Sequence, residues 1–169
     1  MAYNITPKSI SIFGVTGSIG ISSQEVIMLN KNNFIVDTIV AKDNVEGLIK
    51  AAILLKPRLV IISNKEKFID LKDALSMSDS RLEYGEEAIL EASKRTVDIF
   101  VAAIIGYAGL NTTYSCIGNA KTIALANKES IVCAGPILIN EAKLKNTKII
   151  PIDSGCTIIS IFSGLILNK

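Results

Sequence analysis

The 169-residue sequence has no histidine and no tryptophan, only five phenylalanines and four tyrosines, and three cysteines. The missing imidazole removes Ser/His/Asp and Cys/His nucleophilic schemes and every histidine-ligated zinc site. The cysteines, Cys116, Cys133 and Cys156, are odd in number, far apart and without a CxxC spacing. That is the pattern of a reduced cytosolic protein, and each reads as a small buried hydrophobe. An excess of one charge is also missing: 18 basic against 16 acidic residues leave a net +2. With no basic block and no interleaved aromatics, no nucleic-acid surface is expected. Although 49% of the residues are hydrophobic, the longest apolar run, Ile99 to Leu110, falls short of the roughly 18 residues a membrane helix needs. The opening MAYNITPKSI lacks an apolar signal-peptide core, so nothing directs export and a cytoplasmic location is expected.

What the sequence does contain is alternation. Apolar, β-rich runs at Ser9–Phe13, Phe34–Val40, Arg58–Ile62, Asp98–Ala102, Thr122–Leu125 and Lys148–Ile152 are strand candidates. Between them, Ile21–Leu29, Val45–Leu55, Lys65–Leu75, Glu86–Ser93, Leu110–Ile117 and Pro136–Lys145 carry apolar residues at helical spacing. Near-continuous hydrophobic strands separated by helices predict a parallel sheet covered on both faces. The expected fold is a doubly wound, mostly parallel, Rossmann-like α/β domain. No repeat, low-complexity tract or linker precedes residue 150, so 1–150 is expected to form one dinucleotide-binding domain and 151–169 to begin something else.

The stretch GVTGSIG, Gly14 to Gly20, follows the first strand and opens the first helix. In a Rossmann turn, backbone amides and the helix N-terminus hold a pyrophosphate. Gly14 would permit the bend, Gly17 the close approach of backbone to phosphate, and Gly20 the packing of helix on strand. The spacing is GxxGxxG rather than GxGxxG, so a plain strand-to-helix turn remains the competing reading. The second strand ends at Val40-Ala41, followed by Lys42-Asp43-Asn44. A carboxylate there suits a free ribose 2′-OH, and a cation suits the 2′-phosphate of NADP. At about 5 Å and an effective dielectric near 20, each interaction is worth roughly 3 kcal/mol, so whichever side chain faces the ribose sets the preference. The sequence leaves both open, together with a solvated turn that faces no ligand.

Taken together, GVTGSIG, the turn AKDN, the run AAIIGYAGL, the segment IALANKESIV with its core LANKES, and the strand end IPIDS resemble the 1-deoxy-D-xylulose 5-phosphate reductoisomerase family. The resemblance covers essentially the whole chain in order. It implies reduction and rearrangement of 1-deoxy-D-xylulose 5-phosphate to 2-C-methyl-D-erythritol 4-phosphate in isoprenoid (isoprene) biosynthesis, with NADPH and Mg²⁺ or Mn²⁺. Carried over by position, Thr16, Gly17, Ser18 and Ile19 would hold the coenzyme's pyrophosphate region, and Asn44 would lie near its 2′-phosphate, with Lys42 substituting for the family's usual cation. Asn127 and Glu129 would contact the coenzyme, and Lys128 the substrate oxygens as the catalytic cation. Ser154 would contact the substrate. Asp153 would be a metal ligand, since hard divalent cations select carboxylate oxygens. The plainer reading of Lys128 and Glu129 is a helix-entry pair.

The chain departs from the family pattern in three places. Lys42 and Asp43 stand where a Gly and a basic residue usually precede the Asn, which leaves NADH as well as NADPH in view. After Asp153-Ser154 the family continues Glu-His, whereas here Gly155 and Cys156 follow and no later residue is acidic. The sequence also stops at Lys169, before the family's remaining metal ligand, substrate-phosphate contacts, lid and C-terminal domain. One carboxylate cannot build the multi-oxygen site Mg²⁺ prefers. This chain alone is therefore expected to be inactive: either a coenzyme-binding portion completed by a second chain or in a homodimer, or a degenerate dinucleotide-binding remnant. The run Ile158–Leu167 would be an exposed apolar liability or a last helix folded over the sheet.

Overall fold

The computed structural model describes residues 6–153, 157, 158, 160–162 and 164. The chain runs β1 (Lys8–Phe13), α1 (Ser18–Leu29), β2 (Phe34–Ala41), α2 (Val45–Leu55), β3 (Leu59–Ile62), α3 (Phe68–Ala74), β4 (Arg81–Tyr84), α4 (Gly85–Ser93), β5 (Val97–Ala102), α5 (Tyr107–Cys116), β6 (Ala120–Leu125), α6 (Lys128–Leu144) and β7 (Lys148–Pro151). The strands form one sheet in the order β4-β3-β2-β1-β5-β6-β7, and every pairing is parallel.

Alternate strand residues feed two cores. Ile10, Ile12, Ile39, Val60 and Ile62 pack with Val26, Ile27, Leu48 and Ala51 of α1 and α2 on one face. Phe13, Val40, Ile61, Phe100 and Ile123 pack with Ile89, Cys116 and Leu138 of α4, α5 and α6 on the other. Phe13 and Phe100 meet at 4.4 Å between ring centroids, tilted by 44°, one of the arrangements that adds to simple burial. The connection from β4 to β5 carries the chain from one face to the other. Connections therefore leave β1 and β5, which are neighbours, in opposite directions, and a crevice opens at their carboxyl ends.

Several expectations shift. The edge strand β4 is too short and too polar, RLEY, to show as an apolar run, yet it pairs with β3 from Leu59↔Arg81 to Ile62↔Tyr84. Helix α6 starts at Lys128, not at Pro136, about two turns earlier. Asn127 caps it by accepting from the Ser130 amide at 2.7 Å, and Pro136 lies in its interior. Cys116 is buried but Cys133 is exposed, so the packing reading fails for Cys133; Cys156 lies outside the described residues. Ile158 and Phe162 are fully buried in the α1–α2 core, with the Phe162 ring 5.4 Å from that of Phe34. Of the two expectations for that segment, its described residues follow the helix folded over the sheet.

Electrostatic pairing is concentrated at the amino edge of the sheet. Asp37 is the extra residue where β2 slips against β1, between the pairs Ile10↔Val36 and Ser11↔Thr38. Burial opposes its charge, but hydrogen bonds from Arg95 (Nε at 2.6 Å, Nη2 at 2.8 Å) and Thr38, with the charges of Arg95 and Arg58, outweigh it and hold the carboxyl below its usual range. Asp98 is partly buried, which likewise opposes its charge. Lys121 and the Ser9 amide and hydroxyl prevail, so it too is lowered while it ties β1, β5 and β6 together.

Candidate functional site: a cleft at the sheet's switch point

A cleft of about 520 Å³ opens at the carboxyl ends of β1, β2 and β5, lined by the glycine turn, Lys42, Ser63, Glu86 and an apolar wall from Ala103 to Ile105. The turn is clamped from both sides. The amides of Gly14 and Val15 donate to the Val40 oxygen at 3.0 and 2.9 Å, and the Ala103 amide donates to the Phe13 oxygen at 2.8 Å. Gly14 has φ +96°, and a Cβ there would stand 2.4 Å from the Ala103 oxygen. At Gly20 a Cβ would stand 2.4 Å from the oxygens of both Gly14 and Val15. These two glycines serve the fold.

Gly17 differs. Its φ of −81° suits any residue, and a Cβ would meet only the Gly14 oxygen, at 3.5 Å. Glycine at this position keeps bare backbone facing the cleft. Gly17 is also the N-cap of α1, whose first helical bond runs from the Ile21 amide to the Gly17 oxygen at 2.9 Å. The amides of Ser18, Ile19 and Gly20 precede that bond and have no intrahelical partner, so the helix end presents donors and positive dipole. A diphosphate fits this arrangement: an open backbone cradle, a helix N-terminus, and room where a side chain would intrude.

The turn after β2 sorts its charges. Lys42 lines the cleft, whereas the Asp43 carboxylate accepts from the Asn64 side chain at 2.9 Å. Asn44 Oδ1 caps α2 by accepting from the Gly47 amide at 2.8 Å. Gly47, which sequence reasoning passed over, is needed there: a Cβ would come within 2.9 Å of the Thr16 methyl and 2.8 Å of the Asn44 amide. Of the positions assigned by resemblance, Thr16, Gly17 and Lys42 therefore line the cleft, and Ser18 and Ile19 form the first turn of α1.

Asn127 is 3% exposed and wholly engaged. Besides capping α6, its Nδ2 donates to the oxygens of Ile104 at 2.7 Å and Gly106 at 2.9 Å. Gly109 makes space for that amide, since a Cβ at 109 would sit 2.2 Å from it. Two sequence segments, AAIIGYAGL and LANKES, are thus one structural unit that fixes the cleft's apolar wall. Lys128 and Glu129 are exposed in the first turn of α6 and do not line the cleft.

Ser154 lies outside the described residues. Asp153 is exposed just beyond β7 and accepts from the Thr157 hydroxyl at 2.7 Å. Among the described residues no cluster of three acidic or cysteine side chains could hold a metal, so a divalent ion is not accommodated by these residues alone. No described helix is long and apolar enough to cross a membrane. Burial pushes the Cys116 thiol well above its usual range, so it is no nucleophile.

A parallel sheet with a glycine-lined cleft at its switch point, an unobstructed helix N-terminus and one cleft-facing cation define a dinucleotide-binding domain of Rossmann type. The chain belongs to the 1-deoxy-D-xylulose 5-phosphate reductoisomerase family, whose model matches residues 10–135. It is 40% identical over 148 residues to the reductoisomerase of a Wolbachia from Brugia malayi, covering 87% of this chain and 38% of that protein. The Zymomonas mobilis enzyme in complex with NADPH superposes with a TM-score of 0.84 at 37% identity, over 88% of this chain and 39% of the other. A reductoisomerase complex with NADPH, fosmidomycin and magnesium gives 0.79 at 36% identity, over 86% and 36%. The chain spans less than two-fifths of the length of these relatives.

Proposed function

We propose that this chain is the coenzyme-binding portion of a 1-deoxy-D-xylulose 5-phosphate reductoisomerase and that its cleft holds NADPH. The bare backbone of Gly17 at the mouth of α1, with Lys42 at the end of β2, carries the reading. The diphosphate lies across the amides of Thr16 to Ile19, the adenosine 2′-phosphate is met by Lys42 with Asn44 at the α2 cap, and the nicotinamide end runs along Ala103 to Ile105. NADPH supplies a hydride when bound. The chain's part is to orient that group and, through the apolar wall, to keep water from it.

Asn127 shapes the nicotinamide end by fixing the loop at Ile104 and Gly106, and Glu129 adds an exposed polar contact to the coenzyme from the first turn of α6. Lys128 offers a cation to the phosphorylated substrate beside Ser154. Asp153 is one oxygen ligand of the family's Mg²⁺ or Mn²⁺, and the further ligands come from outside residues 1–153. Residues 1–150 are the coenzyme domain and 151–169 lead into the catalytic part, a division of labour rather than of packing. The remaining groups are supplied by a second chain or a second copy, in the cytoplasm where NADPH and sugar phosphates meet.

The test is calorimetric titration of the 169-residue polypeptide with NADPH and NADH, followed by a turnover assay with the deoxyxylulose phosphate and Mn²⁺. One-site coenzyme binding without turnover is expected. Failure to bind either coenzyme removes the proposal. Turnover by this polypeptide alone refutes the claim that its metal site is incomplete, while rescue by a chain that brings further carboxylates distinguishes a divided enzyme from a decayed one.

A further inference from the structure

Ser63 and Glu86 line the same cleft on its β2–β3 side and were not legible in the sequence as site residues. The Ser63 amide donates to the Ala41 oxygen at 2.9 Å and the Asn64 amide to the Lys42 oxygen at 3.0 Å, so the end of β3 is fastened beside the end of β2. Glu86 is the second residue of α4. The Ser63 hydroxyl donates to its Oε1 at 2.5 Å, which fixes the carboxylate and leaves Oε2 without a hydrogen bond from the described residues. The cleft therefore has a cation, Lys42, and a tethered anion, Glu86, on one flank. The carboxylate that the Rossmann pattern would put at the end of β2, Asp43, is turned to Asn64 instead.

We infer that Glu86, positioned by Ser63, is the carboxylate that reads the adenosine ribose and that it opposes Lys42 in coenzyme choice. This rests on the cleft being the coenzyme site. In a Rossmann cleft the adenosine ribose lies over the end of β2, on the flank where both side chains stand. A free 2′-OH can donate to Oε2. A 2′-phosphate, with about −1.5 to −2 charges, is drawn to Lys42 and repelled by Glu86. Selectivity is then the difference between two opposed terms, and removing either one exposes the other.

Calorimetric titration of the wild-type chain and of Glu86→Gln, Ser63→Ala and Lys42→Met with 2′,5′-ADP, 5′-AMP, NADPH and NADH tests the assignment without any turnover. Glu86 is exposed, so Glu86→Gln leaves folding intact, and its amide oxygen still accepts from Ser63. Glu86→Gln is expected to tighten 2′,5′-ADP and NADPH about fivefold at low salt, an effect that shrinks as the ionic strength rises, and to weaken 5′-AMP and NADH. Ser63→Ala shifts the ratio in the same direction by less, and Lys42→Met shifts it the other way. An equal change for the phosphorylated and unphosphorylated ligands, or no change, overturns the role of Glu86, since a contact to adenine would behave in that way. Absence of binding by the wild-type chain removes the coenzyme site itself and this inference with it.

Discussion

Alanine placed in turn at Gly14, Gly17 and Gly20 should separate the part of the glycine turn that builds the fold from the part that serves a ligand. At Gly20 the new methyl group would lie 2.4 Å from two backbone oxygens. Neither can move without parting α1 from β1, so a loss of about 3 kcal/mol is expected, at the upper end of overpacking penalties. At Gly14 the methyl group meets the Ala103 oxygen at 2.4 Å and the backbone is at φ +96°, which adds about 1–2 kcal/mol of conformational strain to the clash. At Gly17 the nearest contact is an ordinary 3.5 Å. The weaker N-cap and the stiffer unfolded chain offset each other there, leaving stability within about 0.5 kcal/mol of wild type.

Urea unfolding of the three variants, read with an NADPH titration, checks the separation. Gly17→Ala should unfold with the wild-type midpoint yet bind NADPH at least about tenfold more weakly, because a methyl group where a diphosphate must touch the backbone displaces the ligand's hydrogen bonds. Equal loss of stability at Gly17 and Gly20, or unchanged NADPH affinity in Gly17→Ala, would refute the reasoning.

Three further outcomes are expected. Asn127→Ala removes the α6 cap and leaves the Ile104 and Gly106 oxygens without their donor, a loss of about 2–4 kcal/mol by chemical unfolding, and it should also weaken NADPH by loosening the apolar wall. Because the Asp37 carboxyl is held below its unfolded value, its contribution to stability is present above about pH 4 and lost as the pH falls through the folded-state pKa. The stability gap between wild type and Asp37→Asn should therefore be constant near neutrality and close in acid. Phe162→Ala, at a fully buried ring beside Phe34, should cost about 3–5 kcal/mol; a cost near zero would show that this segment does not pack on the domain.

Strands and helices were legible wherever local pattern and tertiary packing agree. The five inner strands and β7 are runs of β-branched and aliphatic residues because the sheet is covered on both faces. Helix α2 was read to the residue, Val45–Leu55, since Asn44 caps it and its apolar stripe is clean. β4 was missed because an edge strand half open to water has no apolar run to display. The start of α6 was missed for a different reason: Asn127 caps through a side chain whose orientation depends on Ile104, Gly106 and Gly109, residues about twenty positions earlier, and no local window contains both.

The same limit explains which parts of the site could be read. The glycine turn is local: strand, bend and helix mouth are consecutive in sequence, so their chemistry follows from spacing. Charge selection around the ribose is not local. Lys42 and Asp43 are neighbours, and which of them faces the cleft is decided by Asn64, which takes the aspartate, and by Ser63, which holds Glu86. An anion from α4 enters a site whose cation comes from the end of β2 only because β3 lies between them in the sheet. Coenzyme preference in such a chain is a property of strand order as much as of the residues after β2. Substituting at the β2 turn alone, without Glu86, should therefore leave an opposing charge in place and achieve only part of any intended switch.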